Sequence, residues 1–452
     1  MVGSVVYYYW TKITFDGDES NLNHASTFHS IAEMMNVMNV KDCISNSQTN
    51  RPIMSLHFDS VTGIYLLTDN KTFLSKSEFY QLLMAVTRPV DVKRLEQRGE
   101  EYGLITRDET GQKLYSGKLL FSAVLPEDFS FDLERKGDED KNVLIRDGIL
   151  IKGQLSSELT GAGHNSLVQA IYKHYPRYQP FIEEDKETEI VKFITDATFL
   201  ADQFLAHRGF SVGVESCLLP ESKRKEQEDL IEESFMEALR ASYLLSKKVE
   251  NPLEEERRES QIRRYLDTVK AVGGKIAKTL PETNALLQMM YSGAKGSASN
   301  LAQITTLLGQ QFLKGSRFPL AITNNTRCLP YFEPDSLDVR SRGFCLNSFV
   351  TGLTPSELFF SQASGRIGLM DTALKTADVG DMHRRMVKVL EDIKTCYDGT
   401  VRNTKNHIFQ FVYGEDGMDA KELHFVKSPG GDIPMFVDVF KEARRINSKY
   451  EQ

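Results

Sequence analysis

Apolar residues recur at helical spacing in some stretches of the chain and without period in others. Over residues 29–40, Ile31, Met34, Met35 and Met38 share one side of a helix. Helical spacing returns over 166–174 and 187–208. In 221–260, Leu230, Ile231, Phe235, Met236, Leu239 and Tyr243 form a stripe among 12 acidic and 8 basic residues in 40. A second helix follows from Leu253 to about Val272, with Asn251-Pro252 at the turn, so the pair predicts an antiparallel helical hairpin with solvated outer faces. From Ile53 to about Leu155 the pattern predicts mostly short strands and turns. These include KLLFSAVLP (118–126) and NVLIRDGILIKGQL (142–155), where Asp147-Gly148 supplies a hairpin turn. The first fourteen residues, MVGSVVYYYWTKIT, fit neither template. FDGDESN after them is a tight acidic loop, SNSQTNRP (45–52) a polar one, and SGAKGSASN (292–300) a glycine-rich run.

The clearest single element begins at Thr354-Pro355-Ser356-Glu357, a capping box with proline in the first turn. Helical periodicity continues to about Asp392 with no further proline. At 1.5 Å per residue this predicts a rod of about 58 Å, far longer than an ordinary globular helix. Gly365, Gly368 and Gly380 lie inside it, each costing roughly 1 kcal/mol against alanine. They suggest close backbone approach or bending.

Composition narrows the class. The 452 residues suggest about three domains. With 40% hydrophobic and 26% charged residues, the chain can bury sizeable cores. No run approaches the ~18 apolar residues of a membrane helix, and the start lacks a signal-peptide pattern. Five scattered cysteines (Cys43, Cys217, Cys328, Cys345, Cys396) form neither a disulfide framework nor a zinc pair, which favours a reducing compartment. A net charge of −8 opposes a protein wrapped in nucleic acid but permits a local basic channel.

Two constellations could carry chemistry. Asp16 and Asp18 flank Gly17, so both carboxylates can turn onto one hard cation such as Mg²⁺; taken alone, the pattern is weak and better describes an acidic surface turn. On the rod, Thr372, Ala373, Thr376 and Ala377 form one small, nearly flat face. It suits either helix–helix packing or a planar guest such as a base pair. Arg366, Lys375, Arg384, Arg385 and Lys388 give the same helix a cationic character suited to phosphates. No phosphate-binding glycine loop, nucleophile elbow or Cys/His pairing appears, and the nine histidines show no ligand spacing.

Collinear segments then resemble one family, the largest (β′-type) subunit of multisubunit DNA-directed RNA polymerases, in its eukaryotic, archaeal and large-DNA-virus branch. FDGDESNLN (15–23) resembles the second half of that family's NADFDGDE(x)N motif. SNSQTNRPIM (45–54), GIYLLT (63–68), IRDGILIKG (145–153), FLAHRGFSVGV (204–214) and SGAKGSASNLAQI (292–304) follow in family order. So do RCLPYF (327–332), RGFCLNSFVTGLTPSELFF (342–360), GRIGLMDTALKTADVG (365–380), RRMVKVLED (384–392) and QFVYGEDGMD (410–419).

The resemblance implies an α+β multidomain chain. Residues 1–14 would be a non-matching N-terminal segment, and 15–31 the catalytic metal loop at the end of a double-psi β-barrel. Residues 32–205 would be a mixed α/β pore domain, 206–340 a helical-hairpin funnel, 341–392 the region of the bridge helix, and 393–452 the start of the cleft domain. Asp16 and Asp18 would serve as catalytic and metal-binding residues for Mg²⁺. Thr372, Ala373, Lys375, Thr376 and Ala377 would border the template and active centre. The implied reaction is two-metal nucleotidyl transfer from NTPs on a DNA template. The implied partners are the second-largest subunit, other subunits, the remaining portions of the largest subunit, DNA template and RNA, with no membrane. The setting would be the nucleus or cytoplasm, or a viral factory or virion.

The chain also departs from the family. Thr14 stands where the first of three family aspartates is expected, and Lys12 where an asparagine approaches the ribose. Family-like sequence starts abruptly at Phe15. Two explanations follow. An interruption inside the aspartate motif would make this a split or fragment subunit, inactive alone; a degenerate, non-catalytic structural subunit is the alternative. Return of similarity in full register favours interruption.

Overall fold

The computed structural model describes residues 6–8, 22–36, 38, 44–46, 51–109, 111–133, 142–163, 166–174, 186–245, 251–417, 424–428 and 431–435. Contacts divide the chain into two compact units, 1–208 with 416–452, and 209–415. Both mix helices with small antiparallel sheets. Among the described residues, no helix is long and apolar enough to cross a membrane.

In the first unit, β1 (Val6–Tyr8) pairs antiparallel with β2 (Leu22–His24), from Val6 opposite His24 to Tyr8 opposite Leu22. The segment predicted to fit no template therefore contains a strand, short enough to escape a periodicity test. Helix α1 (Phe28–Asn36) and the ladder of β3 (Ser45–Asn46) with β4 (Arg51–Pro52) follow.

The stretch read as mostly strands holds four helices: α2 (Asp59–Leu67), α3 (Lys76–Leu83), α4 (Val92–Glu101) and α5 (Gly117–Ser122). In α5, Leu119, Leu120 and Phe121 are all buried. Surrounded on every side, they leave no alternation that separates helix from strand. Local chemistry settles it, because the Ser116 hydroxyl caps α5, Asp91 caps α4, and Ser75 with Glu78 forms a complete capping box on α3.

Strand β5 (Phe73–Ser75) pairs with β7 (Lys113–Ser116), which also pairs with β6 (Ile105–Arg107). Strands β8 (Phe131–Leu133), β9 (Val143–Arg146) and β10 (Ile149–Lys152) form a meander. Its last turn is the predicted Asp147-Gly148, with φ of 47° and 75°, the doubly positive pattern of a tight hairpin.

Helices α6 (Ser157–Thr160), α7 (Leu167–His174) and α8 (Lys186–Arg208) complete the core. Helix α8 lies so close to α2 that a Cβ on Gly63 would sit 2.8 Å from the Ala201 carbonyl oxygen. The hairpin of β16 (His424–Ser428) and β17 (Gly431–Met435) also belongs to this unit.

The second unit is built on the predicted helical hairpin, α9 (Glu221–Leu244) and α10 (Pro252–Ala277). Asn251 caps α10 and Pro252 occupies its first turn. Phe235 and Ala238 from α9 meet Ile262, Leu266 and Val269 from α10, and Leu307, Val339 and Phe344 close the cluster. Helices α11 (Ala285–Ser292) and α12 (Ala298–Thr305) follow, then the ladder of β11 (Gly309–Gln310) with β12 (Phe344–Cys345).

Glu259 of α10 receives two bonds of 2.7 Å from Arg317 and one of 2.8 Å from Arg342, tying the hairpin to chain 58 and 83 residues away. Burial by itself would raise its carboxyl. The Arg317 and Arg342 contacts outweigh burial and hold it at about 2.

The unit ends in helix α13 (Pro355–Leu390) and a sheet of β13 (Lys394–Thr395), β14 (Val401–Arg402) and β15 (Ile408–Gln410).

Two predictions follow from these networks. Glu96 accepts from the hydroxyls of Tyr80 (2.9 Å) and Tyr115 (2.7 Å), and Tyr115 is only 1% exposed. Glu96→Ala strands the Tyr115 hydroxyl and is expected to cost roughly 1–3 kcal/mol in denaturant unfolding; adding Tyr115→Phe should recover part of the loss. Glu259 is held below its unfolded value, so its stabilisation is present above about pH 4.5 and disappears as pH falls towards 2. Glu259→Gln should remove roughly 2–3 kcal/mol at neutral pH and flatten the acid limb of a stability-versus-pH curve.

Candidate nucleic-acid face and metal loop

Helix α13 is nucleated by its first turn. The Thr354 hydroxyl accepts from the Glu357 amide, the Glu357 carboxylate accepts from the Thr354 amide at 2.9 Å, and Pro355 presets the backbone. Glu357 also accepts from the amides of Leu346 (2.8 Å) and Asn347 (3.2 Å) and from Asn347 Nδ2 (2.8 Å). Burial pushes this carboxyl upward, but the bonds from Asn347 and Thr354 outweigh it and hold it below the usual carboxylate range. One turn on, Phe360 is buried with Leu308, Phe318, Leu329 and Cys345, flanked by Leu353 and Ala363.

Beyond that foot the helix is solvated. From Leu369 to Leu390 no residue is buried, and Leu369, at 75% exposure, is joined by Met370, Leu374, Val379, Met382, Met386 and Val389. These positions point all round the helix. So much exposed apolar surface, interleaved with the charged residues of the same arm, marks an interaction site.

The face of Thr372, Ala373, Thr376 and Ala377 is exposed on this arm, with Lys375 beside it. The Thr372 hydroxyl donates to the Gly368 carbonyl (2.9 Å) and the Thr376 hydroxyl to the Thr372 carbonyl (2.8 Å). Both hydroxyls are thus spent on their own helix. What the face offers a partner is methyl groups, a flat apolar surface fit for stacking rather than hydrogen bonding. Asp381 pairs with Arg384 (3.3 Å) and Arg385 (2.8 Å), and Lys388 pairs with Glu391. Arg366 and Lys375 make no ion pair among the described residues, which leaves their charges available to phosphates.

Asp16, Asp18, Thr14 and Lys12 lie outside the described residues. The strands on either side of their segment, β1 and β2, are paired. Among the described residues, no three His, Cys, Asp or Glu side chains gather as a metal site.

A cavity of about 350 Å³ in the first unit is lined by Arg88, Arg94, Asp147, Glu189 and Lys192 among others. Its wall is internally paired: Glu189 with Arg88 and Lys192, Arg94 with Glu127, and Asp147 with Arg98. Two features had no reading in the sequence. The Glu259 cluster joins residues too distant to suggest a motif. The capping box at Thr354 was visible, but Asn347 as its third member was not.

Comparison with known proteins adds a consistent account. Models described as RNA polymerase Rpb1, domains 3, 4 and 5, match residues 43–217, 240–345 and 352–440. The probable DNA-directed RNA polymerase II subunit RPB1 homolog of Invertebrate iridescent virus 6 is 31% identical over 97% of this chain and 42% of its own length. The DNA-directed RNA polymerase subunit Rpo1N of Thermococcus celer is 32% identical, covering 90% of this chain and 46% of that protein. The DNA-directed RNA polymerase II subunit RPB1-B of Trypanosoma brucei brucei is 31% identical, over 97% and 24%. The chain therefore spans less than half the length of each of these relatives.

A test of the arm follows from its glycines. A Cβ on Gly365 or Gly368 would meet nothing within 4 Å. Gly365→Ala and Gly368→Ala should each stabilise α13 by up to about 1 kcal/mol, read as increased 222 nm ellipticity of the chain on its own.

Proposed function

The chain belongs to the family of the largest subunit of DNA-directed RNA polymerase, and from that premise we propose that it works in the active-centre region of such an enzyme. Helix α13 is the bridge helix crossing the nucleic-acid cleft, residues 32–205 the pore domain, 206–340 the funnel and 393–452 the start of the cleft domain. The observation that carries this reading is α13 itself, a 36-residue helix seated at one end and exposing apolar and cationic residues along its arm. The methyl face of Thr372, Ala373, Thr376 and Ala377 lies against the template base pair, while Lys375 and Arg366 serve phosphates.

The donor set of the acidic loop suits Mg²⁺ in part. Asp16 and Asp18 provide two hard carboxylates across a glycine, within a segment whose flanking strands are paired. They would hold Mg²⁺, which when bound supplies charge stabilisation and activation of the attacking hydroxyl in nucleotidyl transfer. In this reading the chain acts only with the second-largest subunit, the rest of the largest subunit, DNA, RNA and NTPs, in the nucleus, the cytoplasm or a viral factory or virion.

Thr14 favours a second reading, a structural polymerase subunit without a complete Mg²⁺ site, because a neutral hydroxyl replaces an expected carboxylate.

Substitution in the assembled polymerase separates the two. The catalytic reading expects Asp16→Asn and Asp18→Asn each to lower nucleotide incorporation by at least roughly a hundredfold. It also expects Thr14→Asp to raise Mn²⁺ affinity, followed by titration of the Mn²⁺ EPR signal. Unchanged incorporation in both asparagine variants would establish the structural reading instead.

A further inference from the structure

We propose that Glu357 is the positioning residue of the long helix, setting the direction in which α13 leaves its body. Its two oxygens accept from five donors on three residues. Oε1 takes the amides of Leu346 and Asn347; Oε2 takes Asn347 Nδ2 together with the Thr354 amide and hydroxyl. Asn347 carries the connection inward, since its carbonyl accepts from the Leu308 amide at 3.0 Å. Leu308 is buried in the same cluster as Phe360, and the neighbouring β11–β12 ladder pairs Gly309 with Cys345. The path from helix to body therefore runs Glu357, Asn347, Leu308.

Leverage gives this contact its consequence. From Leu369 to Leu390 no residue is buried among the described residues, so the arm's direction is inherited from the foot. Val389 lies 32 residues beyond Glu357, so a tilt of about 10° at the foot would displace it by roughly 8 Å. At the Thr372–Ala377 face, about half as far from the foot, the same tilt gives a shift of roughly 4–5 Å, enough to carry that face off a base pair. That this matters to nucleotide addition rests on the reading of α13 as an active-centre helix; that Glu357 sets the direction does not.

An ordinary capping box accepts glutamine as readily as glutamate. The five-donor seat does not. Whichever way an amide is turned, its NH₂ faces at least two donors. Glu357→Gln keeps the size and helix propensity of the side chain while opposing the seat, so it distinguishes a cap from a positioning residue.

The experiment uses the full chain, with spin labels on non-natural ketone residues replacing Asp267 on α10 and Val389, both exposed and both in the second unit. Pulsed EPR reads their separation and circular dichroism reads helicity. E357Q is expected to keep its ellipticity while the distance distribution shifts or broadens, by up to about 8 Å for a 10° tilt. Adding N347D should return it towards wild type, because the new carboxylate accepts from the amide NH₂. A distribution superimposable on wild type would overturn the proposal. So would loss of helicity in E357Q, or a shift that N347D leaves unrepaired, either of which makes Glu357 a simple cap or the seat irrelevant. Failure of the assembled chain to bind nucleic acid would remove the helix's proposed function without altering these distances.

Discussion

A helix that buries only Glu357 and Phe360 of its 36 residues depends on what happens at its foot. In α13 that is one buried carboxylate with a full complement of donors. Taking Glu357 out of water is unfavourable, and only the simultaneous bonds from Asn347, Leu346 and Thr354 make its ionised form the stable one. A seat of this kind has few alternative geometries. An apolar foot, by contrast, slides at little cost. Phe360 supplies the hydrophobic area beneath, and the carboxylate supplies direction.

The same device recurs at Glu259, where a hairpin of charged helices is pinned by Arg317 and Arg342. Glu259 joins segments 58 and 83 residues away, Glu357 the connection 10 and 11 residues before it, and both stay ionised against burial. Their difference lies in the donors. Charged guanidinium groups bind Glu259, although both carboxylates, held below their usual range, lose their contribution in acid. Neutral amides and a hydroxyl bind Glu357, leaving no counter-charge to the arm. The body is braced by ion pairs. The arm's free cations, Arg366 and Lys375, stay available for phosphates.

The arm and the acidic loop raise opposite questions about a polymerase subunit. On the arm, small residues whose hydroxyls are internally satisfied present a surface suited to stacking, consistent with a base pair as guest. In the acidic segment, Thr14 stands where the family motif leads one to expect a carboxylate. Strand β1 lies within the fourteen residues that looked foreign, and it pairs across the loop with β2. Val6–Tyr8 and Leu22–His24 thus stand paired on either side of the sequence that holds Asp16 and Asp18.

Much was determined by the sequence alone. Thr354-Pro355-Ser356-Glu357 announced α13, Asn251-Pro252 the break between α9 and α10, and Asp147-Gly148 the β9–β10 turn, because capping and turn preferences act over three or four residues. The family, too, was legible in ordered motifs. The helices between 59 and 122 were not, since α2 and α5 are buried almost all round and show no polar face to set a period, while α4 is short and mostly charged. Only the tertiary structure decided that Asn347 completes the seat of Glu357, that Arg317 and Arg342 converge on Glu259, and that the Thr–Ala face lies open on an arm. Those facts depend on which distant segments meet. Desolvation, not local propensity, sets what each meeting is worth.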